Sequence, residues 1–193
     1  MRANPFAVLV SATEDGPFAT HAPMAIEVKG EQLTIRGHVA KANSHWKHLE
    51  QCPRCLTIFH GPHAYISPSN YSTREAVPTW NYGAVHVYGN ARVFSASEEL
   101  LGVLHQLIPM FDPAYADQWT GLGQAYRDRM LSHIVGFEIA VTEIEAKFKL
   151  SQNRTKGEQE SIIASLGAAP DTTISSVASL MRKQGLGLNK ERK

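Results

Sequence analysis

The chain has 193 residues, 43% of them hydrophobic, and 19 basic side chains stand against 18 acidic ones for a formal charge of +1. This suits one domain with an appendage and a substantial buried core, and it excludes a global basic field for nucleic acid. No apolar run reaches membrane-span length, residues 1–10 lack a signal-peptide pattern, and Cys52 and Cys55 are too few for a disulfide framework. A cytoplasmic protein with no membrane partner is the expectation.

Residues 6–12 read as a strand, and Asp15-Gly16 is a turn into a second strand over 18–28. Lys29-Gly30-Glu31 turns the chain again into a third strand over 33–39. An antiparallel meander with short connections is how small barrels begin. The period then changes, and residues 42–51 form a short helix with Asn43 or Ser44 near its start and Pro53 beyond its end. A strand running into a helix whose first turn carries Lys41 and Asn43 has the donors of an anion site, though no glycine-rich loop accompanies it.

Residues 55–59 return to strand, Gly61-Pro62 is a turn signal, and residues 64–66 form another short strand. Residues 67–79 form a long loop holding Ser67-Pro68, Tyr71 and Pro78, and loops of that length in compact domains are usually functional. The next strand opens with Thr79-Trp80-Asn81-Tyr82 and runs to about Phe94. Ala84, His86 and Tyr88 fall on one side of it and Val85 and Val87 on the other. Pro78 holds Val77 extended, so the cluster Trp80-Asn81-Tyr82 enters the strand in one orientation. Two amphipathic rings flanking an amide suit a planar heteroaromatic ligand.

Helices follow over 98–108, started by Ser95 or Ser97, and over 117–131, with Pro109 and Pro113 between them. Residues 134–150 alternate as the last long strand, and residues 161–166 and 173–182 read as two tail helices around Pro170. Residues 185–193 look frayed and basic.

His45-x-x-His48-x-x-x-Cys52-x-x-Cys55 carries metal-capable side chains, but Pro53 breaks the helix between the cysteines and only one Cys-x-x-Cys is present. No metal site is expected. Among nine histidines no Ser/His/Asp or Cys/His order is recognisable, and the G-x-S-x-G elbow is absent. His21, His38 and His86 sit in sheet segments and would line one cavity only in a suitable register. Lys147 and Lys149 share a strand face, and Ser151-Gln152-Asn153-Arg154 follows directly. Cations and amide donors are what a phosphate or a flavin pyrimidine edge requires.

Four stretches carry a resemblance. They are Gly37-His38-Val39-Ala40-Lys41-Ala42-Asn43 with Trp46, Phe59-x-Gly61-Pro62-x-Ala64-Tyr65-Ile66-Ser67-Pro68 with Tyr71, Val77-Pro78-Thr79-Trp80-Asn81-Tyr82, and Lys147-Phe148-Lys149-Leu150-Ser151-Gln152-Asn153-Arg154. Together with His21-Ala22-Pro23 they resemble the PaiB family of FMN-binding negative transcriptional regulators. Two departures stand out: the family's lead-in before Arg2-Ala3-Asn4-Pro5 is absent, and Asn70 stands where the family has tryptophan.

The resemblance implies a mainly β, antiparallel FMN-binding split barrel of six or seven strands over residues 1–155, with peripheral helices. A helical extension over 156–193 would pack on the barrel or on a partner subunit. It implies FMN as cofactor, with Lys41 and Asn43 at the phosphate and His38 in the same set. Trp80, Asn81 and Tyr82 would flank the ring system, and Lys149, Ser151, Gln152 and Asn153 would meet the flavin edge or ribityl chain. It also implies a homodimer with FMN at or near the subunit boundary, since a small barrel fills its own interior with side chains. Negative regulation of transcription implies a DNA operator as partner, although no helix-turn-helix or basic reading helix is found. The alternatives are a flavin-dependent oxidoreductase, of flavin reductase or pyridoxamine-phosphate-oxidase type, and a haem-binding or haem-degrading protein of the same fold.

Overall fold

The computed structural model describes residues 1–187, so most of the basic terminus read over 185–193 lies outside the described residues. Seven strands are hydrogen-bonded in the order β2-β1-β5-β6-β7-β4-β3. In chain order they are β1 (Phe6–Thr13), β2 (Gly16–Pro23), β3 (Ala25–Lys29), β4 (Gln32–Ala40), β5 (Arg54–Ile66), β6 (Thr79–Phe94) and β7 (Ile134–Lys149). Six α-helices accompany them: α1 (His45–Gln51), α2 (Ser97–Phe111), α3 (Pro113–Gly121), α4 (Gln124–Leu131), α5 (Lys156–Gly167) and α6 (Thr172–Lys183). The β1–β2, β1–β5, β3–β4 and β4–β7 pairings are all antiparallel. None of the described helices is long and apolar enough to cross a membrane.

The chain divides into two compact units, Met1–Phe59 with Val85–Glu145 and His60–Ala84 with Ala146–Lys193. In the first, alternate strand positions turn inward as their period requires: Leu9 from β1, Ile35 and Val39 from β4, Val87 from β6, and Phe137 and Ile139 from β7. Phe94, Leu100, Val103, Leu107 and Leu131 form a second cluster that seats α2 and α4. In the second unit the core is helical on one side. Ile162, Ile163 and Leu166 of α5 meet Val177, Ala178 and Met181 of α6, together with Ala64, Ile66, Tyr71 and Leu150.

Several expected elements differ. The strand read over 18–28 is two strands, because Pro23 has no N–H to continue a ladder and the N–H of the buried Met24 donates instead to the Pro5 carbonyl at 2.9 Å. The stretch 54–66 is one strand with no turn at Gly61-Pro62. A Cβ on Gly61 would lie 2.9 Å from the Gly83 carbonyl oxygen, so the glycine marks close backbone approach between β5 and β6. Pro109 sits inside the last turn of α2, and the stretch over 117–131 belongs to two helices, parted at Leu122 and Gly123. Asp112 starts α3 by accepting the Tyr115 N–H at 3.1 Å. At α1, Asn43 Oδ1 accepts the His45 N–H at 2.9 Å, while Ser44 makes no side-chain cap.

The tightest backbone contact in the first unit is at Gly89, where a Cβ would fall 2.5 Å from the Ala140 carbonyl oxygen and 2.6 Å from Ile139 Cγ2. A ladder carbonyl cannot withdraw without losing its own hydrogen bond. Gly89→Ala should therefore cost about 1–3 kcal/mol, read as a lower urea midpoint at unchanged m-value. A midpoint equal to wild type would show that β6 and β7 are not held this close.

Candidate functional site

Seven of the ten sequence-predicted site residues lie in the second unit, where β6 begins and β7 ends. Lys149 Nζ donates to Thr79 Oγ1, joining the two strand ends. Trp80 is 52% exposed, with Tyr65 edge-on at 6.1 Å and His63 tilted against it at 6.1 Å. Tyr82, two residues along the same face, is half-buried. Asn81 points the other way and is fully buried at 0% exposure. Its Nδ2 donates to Met181 Sδ at 3.6 Å, and its Oδ1 accepts from Ser151 Oγ at 3.0 Å.

Ser151 is itself buried and holds a φ of +60°, the one left-handed non-glycine among the described residues. The turn it opens carries Gln152 and Asn153 on the surface. Gln152 folds back on its own strand end, accepting the Leu150 N–H at 2.8 Å and donating to the Phe148 carbonyl at 2.6 Å. The Asn153 amide makes no hydrogen bond among the described residues and is exposed. Arg154 closes the turn with its guanidinium 3.7 Å from the Tyr71 ring centroid.

Two buried polar residues absent from the sequence expectations, Gln159 and Glu158, fix this region. Gln159 Nε2 donates to the carbonyls of Ser151 and Arg154, and its Oε1 accepts the Gly187 N–H at 3.0 Å. Glu158 accepts the N–H and the hydroxyl of both Ser72 and Thr155, each at 3.1 Å. These donors, the Ser72 N–H foremost, hold its carboxyl below the usual carboxylate range. Thr155-x-x-Glu158 is a capping box, a pattern that was readable in the sequence and starts α5 five residues before the predicted position 161.

The remaining three residues, His38, Lys41 and Asn43, lie in the first unit. His38 Nδ1 is buried without a partner among the described residues, and burial lowers the pKa of its imidazole. The Lys41 side chain is exposed, and no carboxylate among the described residues pairs with it. Its carbonyl accepts from Trp46 Nε1 at 3.0 Å and its N–H donates to the His133 carbonyl at 2.8 Å, so the backbone there is fixed on both sides. Asn43 Nδ2 donates to Thr20 Oγ1 at 3.1 Å. His45 is fully buried between Thr20 Oγ1, 2.8 Å from its Nδ1, and Ser11 Oγ, 3.0 Å from its Nε2, with Phe18 edge-on at 5.1 Å. His45 and Cys55 of the His/Cys series are thus core groups. Burial pushes the Cys55 thiol up to about 12, and its Sγ donates to the Gly89 carbonyl.

Residues 1–143 match the family described as "Putative FMN-binding domain". The chain belongs to this family. Protease synthase and sporulation protein PAI 2 of Bacillus subtilis is 38% identical over 180 residues, covering 92% of this chain and 86% of its own. The PaiB resemblance is thereby established, with FMN as the cofactor. The flavocytochrome Anf3 of Azotobacter vinelandii superimposes with a TM-score of 0.58 at 16% identity, over 77% of this chain and 63% of that one. The chain thus spans less than two thirds of that flavocytochrome. An FAD- and haem-binding protein of Mycobacterium smegmatis gives 0.57 at 14% identity, over 77% and 67%. Both likenesses concern the fold alone, a mainly β antiparallel split barrel with peripheral helices.

The residues present fit FMN by their chemistry. Within the second unit an exposed indole is accompanied by a lysine, an amide unbonded among the described residues and a rigid turn.

The His45 network makes folding pH-dependent. Burial, then the nearby His48, lowers the imidazole pKa from 6.5 to about 4. A base whose folded pKa is depressed contributes its full stability above 6.5 and loses it as the pH falls towards 4. The loss should be on the order of 3 kcal/mol across that window, measured by urea unfolding at stepped pH. Glu158, with a depressed carboxyl, adds its loss only below the unfolded carboxylate value of 4.5. A His45→Asn variant should show a flatter slope above pH 4.5, and an unchanged slope would contradict the assignment.

Proposed function

We propose that this chain is an FMN-responsive regulator of the PaiB type, acting as a cytoplasmic homodimer on a DNA operator. The observation that carries the ligand site is the open face at the ends of β6 and β7. There Trp80 presents half its surface, the exposed Asn153 amide has no hydrogen-bond partner among the described residues, and Lys149 is tied to Thr79. The isoalloxazine ring stacks on Trp80 with Tyr82 at its rim. Its pyrimidine edge meets Asn153 and Gln152, and Lys149 favours negative charge there. When bound, FMN supplies reversible one- or two-electron chemistry. In the first unit, Lys41 is the candidate for a phosphate group. Asn43, spent on Thr20 and His45, shapes the start of α1 for that purpose, and the unpaired Nδ1 of His38 belongs to the same polar set.

Two observations support the homodimer. β7 pairs with β4 only as far as Ala140, and residues 142–149 are all exposed, Ile144 and Phe148 among them. A strand segment with both faces open, bearing large apolar side chains, calls for cover, and a second copy of the chain supplies it. The regulatory role rests on the family and on the Bacillus subtilis relative's name, which places that protein in protease synthesis and sporulation.

Three measurements test the reading. FMN titration followed by flavin fluorescence should saturate at one per chain. Trp80→Ala should weaken binding by about 1–3 kcal/mol, the range of aromatic stacking. Lys41→Ala should weaken FMN while leaving riboflavin, which lacks the phosphate, nearly unchanged, and equal losses for both would remove Lys41 from the phosphate role. Sedimentation should give a dimer, and operator binding in a gel shift should weaken steeply with salt. Intact FMN binding without any DNA shift would move the assignment to a flavin-dependent oxidoreductase.

A further inference from the structure

Beyond the residues that would touch FMN, the second unit contains a buried polar chain that no contact role explains. Asn81 and Ser151, both expected at the ligand from sequence, face inward at 0% and 6% exposure and bond to each other. Gln159, also 8% exposed, spends both Nε2 hydrogens on the carbonyls of Ser151 and Arg154, the two ends of the turn. The turn closes on itself through the Arg154 N–H, which donates to the Ser151 carbonyl at 3.0 Å.

A glycine would satisfy the φ of +60° at position 151 without strain, yet serine stands there. What serine adds is the hydroxyl, and that hydroxyl reaches Asn81, the residue between Trp80 and Tyr82 on β6.

We infer that Asn81, Ser151 and Gln159 form a positioning site that sets the Gln152-Asn153 amides relative to Trp80 and thereby sets flavin affinity. The inference rests on the FMN reading above. The Asn81–Ser151 bond fixes the distance between the aromatic strand start and the amide turn. The two Gln159 bonds fix the tilt of the turn. The far side of the chain is tied to α6 through Met181 Sδ on Asn81, and to the segment after that helix through the Gly187 N–H on Gln159. Placement of the C-terminal helix and geometry of the flavin edge are therefore coupled within one unit.

Ser151→Gly separates positioning from simple stability, since it relieves the left-handed strain while deleting the hydroxyl. The apo-protein should melt close to the wild-type midpoint, because relief of the left-handed strain offsets the donor lost to the buried Asn81 Oδ1, while the FMN dissociation constant rises about five- to tenfold, the scale of one buried hydrogen bond. The visible circular dichroism of the bound flavin should change with it. Gln159→Leu should act in the same direction and should also speed amide exchange at residues 151–154 in the apo-protein, a readout that needs no cofactor. If Gln159→Leu does not fold, Ser151→Gly alone carries the decision. Wild-type binding with both variants unchanged within twofold overturns the inference alone. Loss of melting midpoint and affinity in step in Ser151→Gly overturns it too, since that is what a merely structural residue would show. A wild-type protein that takes up no FMN overturns the ligand reading and this inference together.

Discussion

The close approach of β6 to its neighbours is the constraint on which the rest of the fold depends. At Gly89, in the first unit, the backbone of β7 leaves no room for even a methyl group. At Gly83, in the second, the Phe148 ring lies 3.2 Å from where a Cβ would stand, and at Gly61 of β5 a Cβ would lie 2.9 Å from the Gly83 carbonyl oxygen. Inward positions along β6 are accordingly small: Asn81, Gly83, Val87, Gly89 and Ala91. Small residues there let the flanking strands draw together. The large side chains of β6, Trp80, Tyr82, His86 and Tyr88, all go to the other face.

That division of faces was legible in the sequence, because the period of a strand is strict. The alternation of Ala84, His86 and Tyr88 against Val85 and Val87, extended backwards, places Trp80 and Tyr82 together and sets Asn81 apart. In the structure Trp80 and Tyr82 share one face while Asn81 is buried on the other, as the period requires. Long strands with regular alternation, β6 and β7, were read almost to their ends. Short-range punctuation misled where a residue served a tertiary purpose. Gly61-Pro62 has the composition of a turn, but the glycine is needed for strand approach. Ser151 carries no sign of its left-handed backbone, since serine rarely adopts it, and the hydrogen bonds that sustain it come from residues 81 and 159.

The site shows a division of labour between exposed and buried polar groups. Exposed groups, Trp80, Asn153 and Lys149, are free or lightly held and available to a ligand. Two buried ones are fully used: the Glu158 carboxylate takes four donors, and Gln159 uses its oxygen and both amide hydrogens. A buried polar group without partners is costly, so a saturated network is rigid, and rigidity is what a shallow, open ligand face needs to keep its geometry. The first unit has a similar network, in which hydrogen bonds link Asn43, Thr20, His45 and Ser11.

The central claim is that FMN lies against the ends of β6 and β7. A crystal structure of the FMN complex tests it most directly. The expected density places the isoalloxazine ring against Trp80, with its pyrimidine edge in hydrogen-bond reach of Asn153 or Gln152 and Asn81 still buried on Ser151. A flavin bound with its ring away from Trp80, or with Asn81 turned out to meet it, would contradict the account.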